Sequence, residues 1–484
     1  MREFLASSIG VTCAAALALP LTPTAVAATA RPVPTAEAAT AARPAPHAGT
    51  PAAATTLRRA AEPATPGSTQ SLPLEPLARH RATPSAPATE QGLHRRAVRH
   101  FSLVGVVWDD PEAELHGRVQ VRTRAADTGS WSGWQDVETH NTDHGADRNT
   151  PESASGRVRG ATAPLWVGDS DGVELRVRSE SGSAGSGAAR HGAGARSRPA
   201  APPLPSGLRL ELVDPGDEAP ADGPRTAALA GENSAATEAS AVNADLAPLG
   251  ATEIAALDRA ETEREFLALN AGELTERQLR AKPYIGPRPG IVTRRGWGAD
   301  EGVRESGFRY TKKVRAAFVH HTASGNNYRC SQASSLIRSI YRYHVESMGW
   351  RDIGYNFLID KCGKIYEGRA GGVARPVLGA HTLGFNNNSM GIAVLGSYDT
   401  KKPSKAAVRA VARLTAWKLG LYRVNPKGKT YLKSAGSNLH HKGKKVRLNV
   451  ISGHRDGFIT ECPGRKLYGK LGSARSKAAR YQGR

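Results

Sequence analysis

Two stretches of this chain put metal-ligating side chains where a strand gives way to a loop. In FVHHTASGNN, residues 318–327, an apolar, β-favouring run enters His320 and His321 and then dissolves into Ser-Gly-Asn-Asn. In ISGHRDGFITECPG, residues 451–464, His454 ends a second short apolar run, and Cys462 follows eight residues later, just before Pro463. A histidine at a strand end is presented by the sheet while the loop beyond it keeps one side open. A catalytic zinc site asks for that arrangement, with three protein ligands and a free fourth position. The loop after His454 can fold back so that an imidazole nitrogen and a thiolate converge. A set of two histidines and one cysteine suits zinc better than harder or redox-active metals. Neither fragment is specific alone, because adjacent histidines are commonly a turn or a core hydrogen bond.

The elements that must position these residues alternate between strand and helix. RAAFVHH reads as a strand, and residues 334–347 as a helix with Ile337, Ile340, Tyr341 and His344 on one side. GYNFLID and KIYEG give strand, turn and strand around Lys361, Cys362 and Gly363, and the nearly continuous apolar run SMGIAVLGS reads as a buried strand. SKAAVRAVARLTAWKLG is expected as a helix with Ser404 as N-cap and Gly420 as its stop. Residues 285–484 are therefore expected to form an α/β domain, a central mixed sheet flanked by helices. Upstream, residues 96–215 carry short alternating runs such as FSLVGVVW, GRVQVRTR and GVELRVRS, bounded by Gly, Asp and Pro. These predict an all-β, sandwich-like domain, with residues 181–204 as a long Ser/Gly/Ala insertion. Trp131 and Trp134 in GSWSGWQDVE can stack on sugar rings or plug a turn. No metal set is visible in this β domain, so the last domain is expected to carry the chemistry alone. Residues 28–95, rich in Ala, Pro and Thr, read as disordered. Residues 216–284 read as a linker holding one short helix in EIAALDRAETEREFLALN.

A chain of 484 residues is too long for one ordinary domain. Residues 1–27 read as a signal peptide: a charged start, an apolar stretch from Phe4 to Leu21, and the small-residue triplet Ala25-Val26-Ala27. No later run is long and apolar enough for a membrane-spanning helix, so a secreted protein without a transmembrane anchor is expected. Cleavage removes Cys13 and leaves Cys330, Cys362 and Cys462, an odd count that needs an account in an oxidising compartment. If Cys462 is a metal thiolate, Cys330 and Cys362 remain as a disulfide pair. Charge is very uneven. Residues 281–484 hold 39 Lys and Arg against 10 Asp and Glu, whereas the first 280 residues hold 27 against 34. Such a basic half calls for an anionic partner, be it nucleic acid, an anionic membrane or an anionic cell-wall polymer, and export makes nucleic acid the least suitable of the three. Anionic cell-wall polymers fit better, and HHKGKKVR at 440–447 is a basic loop that such a polymer can meet. The Ala, Arg, Pro and Gly bias is compatible with a GC-rich bacterial genome.

VRAAFVHHTA, YHVESMGWRDIGYNFLIDKCGKIYEGR, GAHTLGFNNNSMGIAVLG and ISGHRDGFITECPGRKLY together resemble the peptidoglycan recognition proteins and type-2 N-acetylmuramoyl-L-alanine amidases. The resemblance covers about Thr293 to Leu467, in the family's order. It implies that His320, His454 and Cys462 hold Zn2+, with His321 as a packing or supporting residue. It implies that Tyr355 hydrogen-bonds near the metal and the developing oxyanion. Thr460 is the catalytic-position counterpart of a lysine in phage amidases, and many recognition proteins have threonine there. Trp350, Arg369, His381 and Asn386 fall where family members line the peptide cleft. The implied activity is secreted, zinc-dependent hydrolysis of the lactyl amide between N-acetylmuramic acid and L-alanine of peptidoglycan. The alternative is a non-catalytic recognition protein of the same fold. Non-catalytic members often carry serine in place of the cysteine, and this chain keeps Cys462.

Overall fold

The computed structural model describes residues 67–77, 89–139, 141–180, 202–217, 234–270, 272, 274–277 and 281–484. The expected signal peptide, residues 28–66 and most of the Ser/Gly/Ala insertion lie outside these residues. Residues 61–484 belong to one compact unit. Among the described residues, no helix is long and apolar enough to cross a membrane.

The N-terminal part is one antiparallel sheet of eight strands. Its members are β1 (Ser68–Pro73), β2 (Glu75–Pro76), β3 (Glu90–Trp108), β4 (Gly117–Ala125), β5 (Gln135–Val137), β6 (Gly160–Ala161), β7 (Leu165–Ser179) and β8 (Arg209–Asp214). The order is β1-β8-β3-β7-β4-β5, with β2 and β6 paired to β3. The domain thus starts earlier than the composition suggests. Ser68–Pro73, expected within a disordered segment, pairs along its whole length with β8. Its own STQSLP is too polar to announce a strand, and backbone pairing to an apolar neighbour supplies what its side chains lack. Trp131 and Trp134 each carry arginine side chains over their rings. Arg95 lies over the Trp131 ring at 5.1 Å, and Arg122 and Arg176 lie over Trp134 at 4.9 and 4.1 Å.

The middle of β3 explains how this sheet meets the rest. FSLVGVVW is buried at every position. Phe101, Val104, Val106 and Trp108 face a core internal to the β domain. Leu103 and Val107 instead join a second core with Trp297, Ile337, Ile340, Tyr343, Met348 and Trp350 from the C-terminal part. A continuous apolar run is the sign of a strand covered on both faces. Gly105 makes the close approach possible, because a Cβ there would lie 2.3 Å from the Tyr343 hydroxyl. That hydroxyl donates to Thr162 O at 3.0 Å. The two parts thus share one apolar core.

The C-terminal sheet has seven strands in the order β17-β11-β14-β12-β13-β10-β9. They are β9 (Glu253–Ile254), β10 (Ile291–Val292), β11 (Ala316–His321), β12 (Phe357–Ile359), β13 (Ile365–Glu367), β14 (Ser389–Val394) and β17 (Ile451–Gly453), while β15 (Lys429–Lys433) and β16 (Lys445–Asn449) form a separate hairpin. Strands β11, β14 and β12 run parallel, β17 is parallel to β11, and β12 and β13 are the expected antiparallel pair. The helix Lys405–Leu421 covers one face through Val411, Leu414 and Trp417, and Ser404 caps it by accepting from Ala407 N at 2.9 Å. Gly420 does not stop this helix. It lies inside it, where a Cβ would come 2.7 Å from the Ile285 side chain. On the other side, Ala333–Arg342 is α-helical and then widens into a π turn at Tyr343–Ser347. The expected linker also belongs to this fold, since β9 extends the sheet beside β10. The helix foreseen there starts only at Arg259, where Asp258 forms a capping box with Glu261. Cys330 and Cys362 are joined in a disulfide that ties the start of the Ala333 helix to the β12–β13 turn.

Candidate metal centre

Parallel pairing brings the first two candidates together. Val319 of β11 is in register with Gly453 of β17, so the next residues, His320 and His454, emerge side by side at the same sheet end. Open α/β sheets place their sites at such carboxyl ends. The two rings are 4.6 Å apart between centroids, and both are fully buried. The loop after His454 then folds back, with Arg455 N donating to Cys462 O at 3.1 Å, and brings Cys462 Sγ to 3.7 Å from His320 Nδ1. Thr460 shapes this return by accepting from Cys462 N at 3.1 Å.

A fourth side chain was not foreseen. His144, from the stretch between β5 and β6, stands with His320, His454 and Cys462 so that one ligand atom from each lies within 4.8 Å of the others. The donor atoms can be told apart by what the other ring nitrogens do. His454 Nε2 donates to the Asp143 carbonyl at 3.1 Å, His144 Nδ1 donates to Asp143 Oδ1 at 3.0 Å, and His320 Nε2 stands 3.4 Å from Thr382 Oγ1. Metal-bound histidines are held in this way through their second nitrogen. His454 Nδ1 and His144 Nε2 are left buried with no hydrogen-bond partner. Buried polar atoms without partners are costly, so two of them aimed into one cluster fit an ion that would complete them.

Electrostatics agree with that fit. Burial, reinforced by neighbouring histidines, pushes His320 well below the usual imidazole range. Burial likewise brings His454 down to about 3, and the Asp143 carboxylate only partly opposes this. Both rings are therefore neutral near pH 7 and present lone pairs. Burial holds the Cys462 thiol protonated in the metal-free protein, and a bound cation would ionise it. His321 stays outside the set and its Nδ1 accepts from Tyr398 N at 3.4 Å. Tyr355 borders the cluster, its ring 5.5 Å from that of His320, and burial keeps its phenol protonated far above neutrality.

The groove candidates divide. Arg369 is nearly buried and gives both terminal nitrogens to Glu152, each at 2.9 Å. Asn386 Nδ2 donates to Gly145 O at 2.8 Å and Asp147 Oδ1 at 2.9 Å. Trp350 packs against His344 with ring centroids 4.5 Å apart and a tilt of 42°, next to Gly145. His381 is fully buried beside the cluster, its ring 5.3 Å from that of His320. Its Nδ1 is 3.0 Å from Thr382 Oγ1, the same hydroxyl that faces His320, so it acts at one remove from the site. Sequence reasoning missed Asp143, His144, Asp147 and Glu152. Their signal was available in THNTDHGADRNTPE, which is dense in Asp and His yet shows no strand alternation.

Comparison with known proteins agrees with this architecture. Residues 310–465 match the family N-acetylmuramoyl-L-alanine amidase, and residues 51–203 match a family described as Rv3811 N-terminal galactose-binding domain-like. Peptidoglycan-recognition protein SC2 of Drosophila simulans is 32% identical over 183 residues, which is 37% of this chain and 84% of that protein. A peptidoglycan recognition protein of Trichoplusia ni is 31% identical over 183 residues, 38% of this chain and 85% of that protein. With the fold, the clustered histidines and cysteine, and these relatives together, the chain belongs to the peptidoglycan recognition protein and type-2 amidase family.

Proposed function

We propose that this protein is a secreted, zinc-dependent N-acetylmuramoyl-L-alanine amidase acting on peptidoglycan, with anionic wall polymers as further contacts of its basic half. The observation that carries the reading is the convergence of His320, His454 and Cys462 at one sheet end, where the buried Nδ1 of His454 has no hydrogen-bond partner. These three would hold the metal. When bound there, zinc supplies Lewis acidity toward the scissile carbonyl and a nucleophile at neutral pH.

The chain's own groups do the rest. Tyr355 keeps its proton through burial, so its hydroxyl can donate to the oxygen on which charge develops. Thr460 holds Cys462 in place and hydrogen-bonds the Asp143 carboxylate. Thr382 orients His320, and the Asp143 carbonyl orients His454. Arg369 and Asn386 supply a cation and an amide donor suited to the carboxylates and carbonyls of a stem peptide. Exposed Lys442, Lys444, Lys445 and Arg447 around β16 are suited to a wall polyanion.

The test is metal content together with bond chemistry. The purified mature chain should retain one zinc and release muropeptides whose L-alanine carries a new free amino group. Stoichiometric zinc with muropeptide binding but no new alanyl amino group, even on prolonged incubation, would replace this reading with the recognition alternative.

A further inference from the structure

The stretch between β5 and β6 does more than add a histidine. Asp143 O also accepts from Leu383 N at 3.0 Å, and Asp147 Oδ1 accepts from Gly384 N at 2.7 Å as well as from Asn386. Glu152 takes both ends of the Arg369 guanidinium in a buried pair. Three residues read as peptide-cleft residues, Trp350, Arg369 and Asn386, are thus all engaged by one segment of the β domain. The space left beside Tyr355, Thr460 and Cys462 is a cavity of about 20 Å³. That is room for about one water.

We propose that residues 141–152 are a built-in occupant of the groove and that the full chain is latent until they withdraw. His144 Nε2 closes the fourth position of the metal, and Asp147 and Glu152 fill the donors that otherwise meet the substrate. The proposal rests on the zinc amidase reading for the identity of the site, and it adds the regulation of that site. A catalytic zinc keeps one position free, and a set of three histidines and one cysteine leaves none. The segment is built to detach. Across residues 141–159 Val158 is the only branched apolar side chain, so polar contacts rather than a core hold the segment down. Such contacts can be exchanged for those of an incoming anionic peptide at little net cost. Gly145 turns with φ of 132°, a conformation open to glycine, beside Trp350.

The test compares the full chain with His144→Ala and Glu152→Gln, each checked for folding by thermal unfolding and for zinc content. Cobalt substitution reads the coordination directly. The wild-type visible spectrum should be unmoved by thiocyanate, and that of His144→Ala should shift as the anion takes the vacated position. Calorimetry with a soluble N-acetylmuramoyl tripeptide should show affinity raised at least about tenfold in both variants. Glu152→Gln leaves every metal donor in place, so it reports on the groove even if His144→Ala folds poorly. Wild-type protein that binds the tripeptide as tightly as either folded variant, or whose cobalt spectrum responds to thiocyanate, overturns the proposal. Tighter binding in the variants with no release of alanyl amino groups upholds the occupant and sinks the amidase reading. Equal hydrolysis by wild type and variants does the reverse.

Discussion

His320 and His144 face the same cluster from supports of opposite kinds. His320 sits at the end of β11, between β14 and β17, behind Val319, Ile392 and Ile451, which are all fully buried. Moving it means tearing apolar packing, at roughly 1.5–3 kcal/mol for each such side chain exposed. His144 hangs on a stretch with neither strand nor helix, fixed by Asp143, Asp147 and Glu152 through hydrogen bonds and one ion pair. Each contact of that kind to a carboxylate contributes about 1.5–3 kcal/mol net, but water or a ligand can replace it. The difference teaches where permanence resides. The half of the site borne by the sheet is suited to hold a metal through turnover, and the half borne by the loop is suited to leave.

The comparison can be broken most severely at Cys462. Cys462→Ser should abolish hydrolysis and tight zinc binding while the fold survives, because a serine hydroxyl does not ionise to replace a thiolate. Near wild-type hydrolysis by a metal-loaded Cys462→Ser protein would remove that half of the site from the chemistry. Next in size is Tyr355→Phe. Loss of an oxyanion donor should lower kcat by about 10²–10³ with KM little changed, and a rise in KM alone would assign Tyr355 to substrate binding instead. The disulfide tests how firmly the sheet-borne half is tied. Its partners are 32 residues apart in sequence, and closing such a loop stabilises by about 3–4 kcal/mol in the chain-entropy treatment. A Cys330→Ala/Cys362→Ala protein should therefore unfold at a distinctly lower temperature, and an unchanged Tm would contradict that role. The smallest effect belongs to Trp131→Ala. With Arg95 over its ring, affinity for a soluble muropeptide should stay within about twofold, and a large loss would reinstate a sugar platform.

What the sequence disclosed follows the same division. His320, His454 and Cys462 were legible because each sits in a short local pattern, an apolar strand ending in a loop or a turn before proline. The helix at 405–421 was legible from its period and from Ser404. His144 was not, because nothing local ties residue 144 to residue 320 or 454. Only the pairing of two domains brings them together, and periodicity carries no such information. The shared core left one trace, the nearly continuous apolar run FSLVGVVW, which the reading of alternating strands passed over. Ser68–Pro73 and β9 stayed hidden since their pairing rests on backbone groups, which every residue type supplies. Gly420 misled because a glycine late in a helix serves equally as a stop or as room for Ile285.

The most direct measurement counts free L-alanine amino groups released from a soluble N-acetylmuramoyl tripeptide by zinc-loaded full-length protein, wild type beside His144→Ala and Cys462→Ser. The account predicts slow release by the wild type, release at least about tenfold faster by His144→Ala, and none by Cys462→Ser. Tripeptide bound by a folded, zinc-loaded His144→Ala protein with no alanyl amino group appearing would contradict it.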